Sequence, residues 1–151
     1  MADSKVLFRV VVEDGDVHVE TLWATALGED RYRLDNLPFY AYGVSWDDIV
    51  LAPFDATEDM ATFQHVVTKT GNRTVRLLLD PPVSPGNASD DILQQLVALG
   101  CDYEGSNRVR IAVNIPADVS LDSIRQYLIA RELVWEHADP TYETLFPDNP
   151  C

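Results

Sequence analysis

The chain has 151 residues, with 25 acidic side chains against 11 lysines and arginines and a formal net charge of -14. That length corresponds to one domain, or two small subdomains sharing a core, and it buries enough apolar surface to fold without a staple. The charge argues against nucleic acid as a partner, because phosphate contacts need clustered Lys and Arg, and the two lysines and nine arginines are scattered along the chain.

The first five residues, Met1 to Lys5, lack the basic region and apolar run of a secretory signal, and no later apolar run reaches bilayer length. These features predict a cytosolic protein. Cys101 and Cys151 fit that compartment as unpaired thiols. Val6 to Glu13 and Val17 to Ala26 read as strands flanking Asp14-Gly15-Asp16, a turn with hairpin chemistry. Gly28-Glu29-Asp30 supplies the next turn, and Arg31 to Leu34 leads into the Leu37-Pro38 corner. There Pro38 cannot donate to a ladder, and Phe39, Tyr40 and Tyr42 must pack or cap the edge. Asp48 to Phe54 and Thr62 to Thr70 read as further strands, with alternation between Phe63, His65, Val67 and Gln64, Val66, Thr68. Five or so short strands at close turn spacing predict a curled sheet or a small barrel.

From Arg73 the pattern becomes strand, helix, strand, strand, helix, strand, a ferredoxin-like order. Arg73 to Leu79 is the first strand, ended by the proline-rich segment from Asp80 to Gly86. Ser89 or Asp90 is expected to cap a helix with Ile92, Leu93, Leu96, Val97 and Leu99 on its apolar face, stopped at Gly100. Cys101 to Glu104 and Arg108 to Ile115 then pair across Gly105-Ser106-Asn107. Ser120 caps a second helix with Leu121, Ile124, Leu128 and Ile129 inward, and Leu133 to His137 closes the sheet. The expected fold is α+β: an all-β subdomain over residues 1-71, with a curled antiparallel sheet or small β-barrel, then a ferredoxin-like βαββαβ subdomain over 72-138. An acidic, proline-containing tail over 139-151 is read as coil or a docked arm.

No nucleophile, metal-ligand spacing or phosphate loop emerges, so no catalytic, metal or cofactor residue is assigned. His65 is the best-placed titratable group, and without a nucleophile at motif spacing it reads as a half-buried strand histidine. His18 and His137 carry no more. Cys101 follows a helix C-terminus, which disfavours thiolate, so it reads as a core residue. The aromatics from Trp23 to Trp46 read first as core and corner residues. Tyr40, Tyr42 and Trp46 are nonetheless suited to anchor a partner, because interfaces use Tyr and Trp as rigid anchors. The carboxylate pairs Asp47-Asp48 and Glu58-Asp59 would form an acidic rim for them, and Asp102 with Glu104, on one face of a strand, would form a further contact surface.

The segments Glu20-Thr-Leu-Trp-Ala-Thr-Ala-Leu-Gly28, Tyr32-Arg-Leu-Asp-Asn-Leu-Pro-Phe39 with Ala41-Tyr-Gly-Val44, and Leu99-Gly-Cys-Asp-Tyr-Glu-Gly105 resemble a bacterial family known as domain of unknown function four-two-six-five. The resemblance spans roughly Val6 to Trp135, and it implies no catalytic or binding residue, since the family brings no established activity. Charge and the missing active-site constellation together lead to the expectation of a non-enzymatic acidic binding protein with a basic protein partner. Its most specific form is an immunity protein that blocks the active-site cleft of a cognate bacterial toxin. A small-molecule-sensing or regulatory module is the alternative, and a hydrolase or transferase using His65 or the Asp102 and Glu104 pair comes third.

Overall fold

The computed structural model describes residues 2–11 and 14–148. Strands β1 (Ser4–Val11) and β2 (Val17–Gly28) form the expected antiparallel hairpin, with Val11 opposite Val17 and Ser4 opposite Ala24. The expected strand end at Val12 and Glu13 lies outside the described residues, as does Cys151. Strand β3 (Arg31–Leu34) follows as expected. The expected strand from Asp48 to Phe54 is instead broken into β4 (Ile49–Leu51) and β5 (Phe54–Asp55), because Pro53 between them has no N–H to give a ladder. Strand β5 pairs with β6 (Met60–Ala61) in a separate ribbon, and β7 (His65–Thr68) returns to the main sheet.

That sheet runs β1-β2-β3-β4-β7, antiparallel throughout. It curls without closing into a barrel: the free edge of β1 meets the chain ahead of β7 only at a single bridge, Leu7 to Thr62, where the Phe63 N–H donates to the Leu7 carbonyl at 2.9 Å. Val6, Phe8 and Val10 pack with Leu22, Ala24, Leu34, Val44 and Val50 in its core. Along Phe63 to Thr68 neither alternating face is buried as a whole: Val66 is half-buried between exposed His65 and Val67, while Phe63, of the opposite phase, also packs against the core.

The second half contains β8 (Arg73–Leu78), α1 (Ala88–Ala98), β9 (Asp102–Gly105), β10 (Arg110–Ile115), α2 (Leu121–Ala130), β11 (Val134–Asp139) and a short α3 (Tyr142–Leu145). Its sheet runs β11-β8-β10-β9, all antiparallel, with β8 and β10 central and loosely ferredoxin-like in arrangement. Val75, Leu77, Ile111, Val113 and Ile115 pack one face against Ile92, Leu93 and Leu96 of α1 and Ile124 and Leu128 of α2. Asn87, not Ser89 or Asp90, caps α1 by accepting the Asp90 N–H at 2.9 Å; Ser89 turns away to the Pro81 carbonyl. Val97, Leu99 and Ile129, expected inward, are exposed, because each lies beside a narrow buried stripe: Ser89, Ile92, Leu93 and Leu96 in α1, and Ile124 and Leu128 in α2. The described part of the tail, to Asp148, is a docked arm that includes α3: Tyr142 and Phe146 stack around His137.

The two sheets meet across the irregular segment from Asn36 to Asp48. Buried backbone outside a ladder must find other partners, and here two charged side chains provide them. Glu20, in the inward row of β2 with Leu22 and Ala24, accepts the N–H groups of Phe39, Tyr40 and Ala41 at 2.6, 3.2 and 2.9 Å. Arg76 of β8, 2% exposed, donates to the carbonyls of Pro38, Ala41 and Tyr40 at 3.3, 2.8 and 3.3 Å and to Glu136 at 2.9 Å. At the other end of the segment Asp48, fully buried, accepts the Ser45 N–H, the Thr70 N–H and Lys69, which also pairs with Asp139 of β11.

Glu20→Ala would strand three amide donors and is expected to cost about 3 kcal/mol, since each unmet buried partner costs roughly 1–3 kcal/mol. Arg76→Lys, which cannot reproduce the planar fork, should cost a comparable amount. Urea unfolding would show both as a lower midpoint with an unchanged slope.

Candidate functional site

The segment between the sheets lies over the face of the C-terminal sheet that the helices leave free. Cross-strand register places Thr74, Arg76 and Leu78 of β8 on this face beside Asn114, Ala112 and Arg110 of β10, with Glu104 opposite Ala112 and Asp102 opposite Asn114. Glu136 and Val134 of β11 sit opposite Arg76 and Leu78. The face is therefore acidic at the β9 end and carries the arginines at the other. One cavity opens at each end of the overlying segment.

The acidic cavity, of about 210 Å³, is lined by Leu37, Trp46, Asp102, Tyr103, Glu104 and Asn114. It brings together three of the residues expected to contact a partner, Trp46, Asp102 and Glu104, from segments more than fifty residues apart in sequence. Glu104 is half-buried because Oε2 accepts the Leu37 N–H at 3.0 Å, so the face expected to be fully solvated is partly roofed. Trp46 and Tyr103 stay more than a third exposed. Asn114, only 2% exposed, has a side-chain oxygen with no hydrogen-bond donor among the described residues. No Lys or Arg lines the cavity. The Trp46 ring, two carboxylates and an unmet acceptor are together a receptor for an ammonium or guanidinium group.

The second cavity, of about 530 Å³, lies between the end of the β1-β2 hairpin and the sheet, against Tyr40 and Tyr42. Here the guanidinium carbons of Arg110 and Arg76 sit over the Tyr40 and Tyr42 rings at 4.7 and 4.5 Å, so each ring is held on a cation at the sheet surface. The Tyr42 hydroxyl donates to Glu136 at 2.6 Å. Burial, and then Glu136, hold its phenol above the ordinary range.

The remaining expected contact residues fall elsewhere. Asp47 adopts a left-handed backbone, φ +73°, that Asp tolerates, and faces Arg33 at 3.7 Å. Asp48 faces inward and joins the sheets, so it lends no charge to a rim. Glu58 pairs with Arg9 at 3.1 Å, and Arg9 also holds Asp55; Asp59 occupies the tight turn before β6 at φ +58°. His65 is exposed on the sheet edge, not half-buried, with Nδ1 3.2 Å from the Val66 carbonyl. Cys101 is 3% exposed in the helix-covered core, and burial pushes its thiol up to about 11. Among the described residues no three His, Cys, Asp or Glu side chains converge to hold a metal, and no helix is long and apolar enough to cross a membrane. Glu20 and Arg76 were not expected as organising residues. Their signal is a charge inside a buried strand pattern: Glu20 opens the inward row that continues with Leu22 and Ala24 in β2, and Arg76 stands between Val75 and Leu77 in the buried run of β8.

His137 ties the C-terminal arm to the sheet. It is 9% exposed, accepts a hydrogen bond at Nε2 from Arg125 at 3.1 Å, and lies among Trp135, Tyr142 and Phe146. With Nε2 accepting, the neutral ring carries its proton on Nδ1. Burial first, and the Arg125 guanidinium second, hold its pKa below the ordinary imidazole value against the opposing pull of Glu143.

The family described as Domain of unknown function (DUF4265) matches residues 20–137. A solved structure, titled as a novel crystal structure of a hypothetical protein from Neisseria gonorrhoeae, is similar at 18% identity with a TM-score of 0.75, covering 94% of this chain and 97% of that one. At that identity the likeness shows the fold alone. No curated protein sequence matches the chain.

Because the folded state holds His137 neutral, the unfolded chain takes up the proton first. The stability this group contributes is complete above about pH 6.5 and is lost as pH falls from there through the lower, folded value. The urea midpoint of the wild type should therefore drop more between about pH 7.5 and 5 than that of His137→Gln, which keeps an acceptor for Arg125 but does not titrate.

Proposed function

The chain belongs to the family Domain of unknown function (DUF4265), and on that premise we propose that it is a non-enzymatic acidic binding protein of the cytosol. Its most specific form is an immunity protein that blocks the basic active-site cleft of a cognate toxin. The family description names no activity, so the reading rests on geometry and charge. The observation that carries it is the acidic cavity, in which Asp102, Glu104 and the unmet Asn114 oxygen converge beside the exposed Trp46. A Lys or Arg side chain of the partner enters there. Its cation lies against Trp46 and donates to Asp102 and Asn114.

The chain's net charge of -14 speeds the approach of a basic surface, and the cavity fixes its register. Trp46 is the anchor expected to matter most, since truncated aromatic anchors dominate interface energetics. A small-molecule-sensing or regulatory module is a second reading, favoured by the larger cleft beside Tyr40 and Tyr42.

The test is co-purification of the tagged chain with the products of neighbouring genes, at low and then raised salt. A stoichiometric basic partner should be released as salt rises. Trp46→Ala or Asp102→Lys should weaken its binding about tenfold or more without lowering the melting temperature. Equal capture by wild type and Asp102→Lys, or capture indifferent to salt, would overturn the reading.

A further inference from the structure

The cleft against Tyr40 and Tyr42 differs in chemistry from the acidic cavity and from the surface as a whole. Its walls include Val10, Val11, Leu78 and Val134, of which Val11, Leu78 and Val134 are 69, 42 and 65% exposed. Exposed aliphatic side chains from β1, β8 and β11 thus converge on one concave surface of about 530 Å³, a size typical of small-molecule sites. The two guanidinium groups at its base are not equivalent. Arg76 is spent: it holds three backbone carbonyls and Glu136. Arg110 makes no ion pair and no side-chain hydrogen bond among the described residues, and its guanidinium is held in place over the Tyr40 ring. A pre-positioned cation with its donors unused, beside an apolar wall, is the complement of an amphipathic anion.

We propose that this cleft binds a small organic monocarboxylate with an apolar body, its carboxylate on Arg110 and its body on the Val10, Leu78 and Val134 wall. A planar guanidinium fork accepts a carboxylate with two parallel hydrogen bonds. The ring beneath it limits its motion, so little side-chain freedom is lost on binding. Glu136, which also lines the cleft, is engaged by Arg76 and the Tyr42 hydroxyl and lies on the opposite side of β8 from Arg110. The site is independent of the acidic cavity, and each can fail without the other.

Octanoate is the probe, with octanol and octylammonium as neutral and charge-reversed controls. Titration should move the methyl resonances of Val10, Leu78 and Val134 saturably and raise the melting temperature, since a ligand of the native state alone must stabilise it. Octanol and octylammonium should bind about tenfold or more weaker, the expected worth of a charge-assisted contact. Arg110→Gln should weaken octanoate to the level of octanol, and Val134→Glu, at an exposed position that leaves the fold intact, should weaken it similarly. Failure of octanoate to perturb the cleft, equal binding of the three probes, or an unaltered affinity in Arg110→Gln would each overturn the proposal. Asp102→Lys should leave octanoate binding unchanged, which separates this site from the acidic cavity.

Discussion

The rest of the structure depends on one requirement, that the irregular backbone between Asn36 and Asp48 be paired although it belongs to no ladder. A segment trapped between two sheets cannot rely on water for its amides and carbonyls. Glu20 takes the N–H groups of residues 39–41 and Arg76 takes carbonyls of the same short run, so one side chain from each sheet grips the segment from opposite sides. A buried carboxylate or guanidinium alone would be costly; each is tolerated here because its hydrogen-bonding capacity is filled by fixed backbone dipoles. Asp48, Ser45, Lys69, Thr74 and Asp139 repeat the arrangement at the far end, where the charge of Lys69 offsets two carboxylates.

That grip determines what the surface offers. By fixing Leu37 over Glu104 and Tyr40 and Tyr42 over the arginines of the C-terminal sheet, it divides one sheet face into two recesses of opposite character. The acidic recess collects carboxylates and an unmet amide oxygen, while the apolar cleft keeps Arg110, which has no ion pair among the described residues, over the Tyr40 ring. Net charge describes neither recess. It governs long-range attraction, whereas short-range recognition is set by which few groups the seam leaves unpaired.

The hairpin at Asp14-Gly15-Asp16, strand β3, the βαββαβ order and the Ser120 cap were all legible locally, because each follows from a period, a turn residue or a cap within a few positions. The errors also have local causes. Pro53 split an expected strand, Asn87 was the first oxygen able to reach the α1 amides, and the edge position of β7 left His65 exposed where a half-buried strand histidine was expected. Closure of the first sheet was undecided by the residues themselves, since it turns on whether β1 forms a ladder with β7 or only a bridge to Thr62 ahead of it.

The candidate contact residues show the same division. Aromatic and acidic residues from Tyr40 to Asp48 stood out by composition, yet side by side in sequence they point to different places: Trp46 to the acidic recess, Tyr40 and Tyr42 to the cleft, Asp48 into the interior. The sequence by itself determined the α+β elements, the net charge and the family. Only the tertiary structure decided that Glu20 and Arg76 hold the seam, that Asp102 joins Trp46, and that Arg110 has no ion pair among the described residues. Local preference acts through neighbours a few residues apart, whereas pairing and burial of charge depend on groups brought together across the fold.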